Sequence, residues 1–181
     1  MQILKILSKV EHSAPYLEWK KHNKNDYLVH LFTEAGADAV EFVWQVGYYN
    51  KAKDRITTFC GSDPVTVAED QEVFKKQDSI LPLPIEKVKI DVDKAITIAD
   101  SLRKETYGIK ESIKTIMILQ RIKDHTMWNM TLLSQALALL HIKVDACTGK
   151  IIHHELVSLS SFIAPEEKNG LSISKLRKQK S

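Results

Sequence analysis

The chain has 181 residues, 44% hydrophobic and 27% charged, a balance that supports a packed core and argues against a disordered chain. Its 26 basic and 23 acidic residues leave a net charge of +3. The segment 165–181 holds that whole excess, with Lys168, Lys175, Arg177, Lys178 and Lys180 against Glu166 and Glu167, so the rest is balanced and offers no basic groove for nucleic acid.

Residues 2–21 read as helix in two pieces. Ile3, Ile6, Leu7 and Val10 have helical spacing, Ser13 is an N-cap, and Pro15 sits in the first turn of the second piece. Residues 27–33 are a strand, and Ala35, Gly36, Ala37 and Asp38 are expected to turn the chain. Residues 40–49 alternate, with Val40, Phe42, Trp44, Val46 and Tyr48 pointing one way, the pattern of a half-buried antiparallel strand. A polar turn at 50–54 leads into a strand at 55–60. Asp63 and Pro64 then suggest a short helix towards residue 76, although Val65, Thr66 and Val67 favour strand. Pro82 and Pro84 mark a linker over 77–84.

The clearest helix covers 91–104, where Val92, Ala95, Ile96, Ala99 and Leu102 form one apolar stripe. Asp91 and Asp93 suit its positive end, Arg103 and Lys104 its negative end, and Gly108 can close it in the left-handed conformation. Residues 113–122 are apolar on both faces, as a central strand would be. Residues 127–133 place Trp128, Met130 and Leu132 together, and 136–145 place Leu140, Ile142 and Val144 inside. A turn at 147–149 precedes a last strand at 150–158.

The string IDVDKAITIADSL, the strand around IKTIMILQRI, Trp128, and HIKVDACTGKIIHHEL together resemble the PepSY family. The hairpin signature of that family is matched by Val144-Asp145-Ala146-Cys147-Thr148-Gly149-Lys150-Ile151. The resemblance spans residues 90–157 and implies an α+β fold, a helix packed on an antiparallel β-meander with a cystatin-like layout. It also implies a non-catalytic role in restraining a protein partner such as a peptidase, or in binding a ligand. The residues account for the hairpin by themselves: Asp145 and Thr148 can bond turn amides, and Gly149 can take positive φ.

The first half reads as a diverged second copy or as a chance likeness. Residues 49–56 align with 144–151 at one offset, whereas matching Trp44 with Leu140 and Val46 with Ile142 requires an offset larger by one residue. The expected organisation is a helix plus meander over 1–80, a PepSY-like module over 85–160, and a basic flexible tail over 161–181. Whether the halves share one core is open at this level.

No phosphate-binding glycine loop, HExxH zinc motif or GxSxG nucleophile elbow occurs. No catalytic residue, cofactor or metal site is therefore expected. His141 and His154 on neighbouring strands, with Asp145, make an imaginable cross-strand metal site, but exposed sheet histidines are the plainer reading. Cys60 and Cys147 lie far apart without a CxxC pattern, which fits a reduced chain, and Cys147 in its turn near Lys143 and Lys150 can also be read as reactive. Lys5 and Lys9 interrupt the N-terminal apolar patch, so neither a signal peptide nor a membrane span is expected and the location reads as cytoplasmic. The candidate ligand or partner surface comprises Trp44, Tyr48 and Trp128 with Asp145, Thr148 and Gly149. The expected function is a binding or regulatory protein, not an enzyme; the alternatives are a carrier or unrecorded enzyme with an apolar pocket between helix and sheet, and a structural homodimer.

Overall fold

A computed structural model describes residues 2–37, 42–72 and 80–158, with the side chains of 69–72 left aside. The order along the chain is α1 (Gln2–Glu11), α2 (Ala14–His22), β1 (Tyr27–Gly36), β2 (Trp44–Asn50), β3 (Arg55–Cys60), β4 (Thr66–Glu72), a 3-10 turn (Ile85–Lys87), α3 (Val92–Glu105), β5 (Ser112–Ile122), β6 (His125–Ser134), β7 (Ala138–Asp145) and β8 (Ile151–Ser158). The fold is α+β. All eight strands join one antiparallel sheet in the order β4-β3-β2-β1-β5-β6-β7-β8.

That order is mirrored about its centre. Each half contributes helix and then four strands, and the two first strands, β1 and β5, pair with each other. The core follows the register. Phe59, Val46, Leu31, Leu119, Trp128 and Val144 stand opposite one another on six successive strands, and every one is fully buried. Ile3, Leu7 and Val10 of α1, Tyr16 of α2, and Val92, Ala95 and Ala99 of α3 close over this face, so both halves share one core. Burying such a row removes apolar area from water at about 25 cal/mol per Å².

Local sequence explains the helix ends. The Ser13 side chain accepts from Tyr16 N–H, and Pro15 lies in the first turn of α2, as expected. Asp91 occupies the N-cap of α3 but makes no side-chain bond to its own helix. Its carboxylate accepts instead from the backbone N–H groups of Gln2 (2.6 Å) and Ile3 (3.3 Å), first donors of α1. One acid thus serves two helix N-termini, whose partial positive charge favours it there.

Three expectations change. The turn placed at 35–38 begins later: Ala35 and Gly36 continue β1 because β5 offers them Thr115 and Lys114 as partners. The strand placed at 40–49 starts at Trp44; Phe42 and Val43 precede it, and residues 40–41 lie outside the described residues. The helix after Pro64 is a strand, β4. Its β-prone residues find the open edge of β3, with Phe59 opposite Val67 and Cys60 opposite Thr66, and that ladder outweighs the local helix-start signal. The tail over 161–181 and residues 77–79 of the linker lie outside the described residues.

Candidate functional site

Trp44, Tyr48 and Trp128 present no surface. Trp128 is fully buried, and its indole N–H donates to Ile90 O at 2.8 Å. Trp44 meets it edge-on, with ring centroids 6.1 Å apart. Tyr48 sits apart, in a cluster with Tyr16, Trp19 and Phe59 under α2. Its hydroxyl donates to Glu11 Oε1 at 2.8 Å; burial, and then the Glu11 carboxylate, push its pKa up. Alternation along β2 and β6 correctly placed these aromatics on one face, but that face is the core.

Asp145, Thr148 and Gly149 are brought together, in the turn between β7 and β8. Asp145 Oδ1 accepts from Cys147 N–H (3.0 Å), Thr148 N–H (2.8 Å) and the Thr148 hydroxyl (2.9 Å). Partial burial works to raise the Asp145 pKa, but these bonds and His125 outweigh it and hold the carboxyl below its usual value. Gly149 has φ of 78°, and a Cβ there would come within 3.2 Å of Ile90. Ala146 O in the same turn accepts from Lys89 and Ile90 N–H, both at 2.9 Å. The turn therefore clamps the segment entering α3 through Ala146 O, while Asp145 Oδ1 holds the turn itself together.

His141 and His154 do not converge. In the β7–β8 register His154 stands opposite Ile142, and His141 opposite Glu155, so the two imidazoles leave opposite faces. His141 Nδ1 is 3.1 Å from the Thr131 hydroxyl, and His154 Nδ1 is 2.5 Å from the Tyr107 hydroxyl. No group of three metal-ligating side chains occurs among the described residues.

The features that sequence reasoning missed lie elsewhere. Among the described residues no helix covers the other face of the sheet, and this helix-free face carries Phe32, Ile116, Ile118, Leu133 and Leu139 on four adjacent strands, all half-buried and none part of the core under the helices. The signal was present in β5, which is apolar on both faces. Further along this face the His30 ring packs against Gly47, where a Cβ would come within 2.3 Å of it. Burial alone lowers the His30 pKa to about 4, so the ring is neutral at physiological pH. Gly47 within a strand marks such a close approach.

On the helix side, Arg103 is buried at the end of α3. It donates to Asp100 Oδ1 at 3.0 and 2.8 Å and to Ile109 O at 2.9 Å, and also to Lys110 O. Beside it opens a cleft of about 490 Å³ between α3 and the central strands, bordered by Ala35, Phe42, Ile96, Asp100, Arg103 and Thr115. An adjoining apolar recess of about 60 Å³ reaches Met117, Met130 and Leu132.

No family model matches the chain, and no curated protein matches it. Among solved structures, the fold is similar to the crystal structure of a "putative lipoprotein" from Clostridium difficile 630, with a TM-score of 0.51 and 18% identity over 78% of this chain and 90% of that one. At that identity the likeness concerns the fold alone.

Proposed function

We propose that the chain is a non-catalytic binding or regulatory protein built on a PepSY-like plan used twice in tandem. Two features support the plan: α3 followed by a meander that ends in the Asp145–Gly149 turn, and the mirrored strand order. The hairpins compared in sequence are not equivalent by position, because 49–56 joins the second and third strands of its half and 144–151 the third and fourth. The tandem reading therefore rests on matching β1 to β4 with β5 to β8, not on that alignment.

One observation carries the binding reading. On the helix-free face Phe32 stands beside Ile118 and Leu133 beside Leu139, with Ile116 two residues from Ile118, and Glu34, Lys114, Asn129 and Thr131 lie among them. Apolar groups rimmed by polar residues on an open face are a mark of interaction sites in soluble proteins. The occupant proposed is a protein partner, of which a peptidase under restraint is the kind that the PepSY resemblance suggests. Affinity capture with the intact chain and with Ile118→Lys tests this. A stoichiometric partner held by the first and released by the second is expected; no such partner, or equal retention by both, overturns it.

The cleft beside α3 favours a second reading, a small ligand. Its mouth is of ligand size, but a recess of about 60 Å³ takes only a small group, and neither Trp44 nor Trp128 lines it. Thermal-shift screening with small amphiphiles tests that reading, and stabilisation by none of them removes it. The proposal also includes a reducing compartment, in which the free thiols Cys60 and Cys147 stay reduced. Trapping thiols at cell lysis checks this, and an oxidised Cys60 or Cys147 contradicts it.

A further inference from the structure

β8 is an edge strand of eight residues, and its outer rim of backbone N–H and C=O groups has no neighbouring strand among the described residues. Proteins protect such edges with lysine, proline, other charges or bulges; Ile151–Ser158 contains no lysine or proline, Glu155 is its one carboxylate, and its register shift is confined to the end before His153. Its side chains are open to solvent, with Ile151 at 38%, Ile152 at 43% and Leu156 at 43% exposure.

We infer that β8 pairs antiparallel with β8 of a second copy of this chain, about a two-fold axis at His154. This goes beyond the binding role proposed for the helix-free face and does not depend on it. A two-fold axis perpendicular to the sheet sets each residue opposite one of the same face, so one residue must stand opposite its own copy. Centring on His154 sets Ile152 opposite the second copy's Leu156, and His153 opposite its Glu155. Both pairings occur twice by symmetry, giving two aliphatic pairs on the helix side and two His–Glu pairs on the other. Within one chain, His153 Nε2 already lies 3.8 Å from Glu155 Oε1, so the acid and the imidazole share a face.

Neighbouring registers lack this match. Centring on Glu155 sets two carboxylates against each other, and centring on His153 sets Ile152 against His154. The pairing stops at Ile152 because the ladder with β7 shifts register between His153 and Ile151. Cross-strand aliphatic and opposite-charge pairs are the elements that stabilise such a seam, and like charges directly opposite destabilise it.

Analytical ultracentrifugation of the full chain across a concentration series, with circular dichroism to verify folding, tests the inference. A dimer of the 20.6 kDa chain is expected. Glu155→Lys sets a lysine opposite His153 and is expected to weaken association about tenfold or more. Adding His153→Glu restores an opposite-charge pair in this register and is expected to recover the dimer. A monomer at every concentration overturns the inference. So does a dimer indifferent to Glu155→Lys, a loss that the double variant does not repair, or an open-ended series of larger species, which would mean β8 meeting β4. Ile118→Lys is expected to leave the dimer intact, which separates failure here from failure of the partner-binding reading.

Discussion

Acidification should destabilise this protein through His30. His30 lies over Gly47 with its pKa lowered by burial from 6.5 to about 4. In the unfolded chain the ring takes up a proton as the pH falls through its ordinary value, while the folded protein holds it neutral until about pH 4. Proton binding therefore favours the unfolded state throughout that window. The contribution of neutral His30 is complete above about pH 6.5 and is lost progressively down to about pH 4. At about 1.4 kcal/mol for each tenfold change in proton affinity, the loss reaches about 3 kcal/mol at most. Urea denaturation followed by tryptophan fluorescence between about pH 7 and pH 4 measures it, with His30→Gln as the reference because glutamine does not titrate. The stability difference between the two proteins should move by up to about 3 kcal/mol across the window, against the histidine as pH falls. Parallel profiles for the two proteins would refute the burial argument.

Gly47→Ala places a methyl group within 2.3 Å of the same ring. It should cost about 1–3 kcal/mol, read as a lower urea midpoint. Asp145→Ala removes the acceptor of three turn bonds and should cost about 2 kcal/mol by the same assay. Arg103→Met leaves the Ile109 and Lys110 carbonyls without their donor and should cost about 2–4 kcal/mol, with faster amide exchange after Gly108 as its local sign. Trp128→Phe removes the bond to Ile90 O while keeping an aromatic ring, and calorimetry should show a loss of about 1–2 kcal/mol.

Sequence reading succeeded where structure is local. The Ser13 cap, the stripe of α3, the alternation in β6 and β7, and the Asp145–Gly149 turn all depend on residues a few positions apart. It failed where a distant partner decides. The continuation of β1 through Gly36 needs β5, and the strand character of β4 needs the free edge of β3. Arg103 reads as a dipole partner at a helix end, but its value comes from carbonyls that the chain brings back after Gly108. The candidate aromatics were sorted to the correct face, yet alternation cannot tell which face the helices cover. His141 and His154 were placed on neighbouring strands but not in their register, which alone decides whether two side chains meet.

The seam between β1 and β5 has a consequence for how the chain acquires its shape. Every other ladder in the sheet joins strands consecutive in sequence, whereas this one pairs His30 with Gln120 and Gly36 with Lys114, residues about 80–90 positions apart. Hairpins close quickly, and a distant pairing must first meet the entropy of a long loop. The two meanders are therefore expected to assemble early and their union to set the folding rate. Until that union, each half carries an uncovered first strand, and the Asp91 carboxylate has not yet met the first turn of α1. Each half is completed by the other.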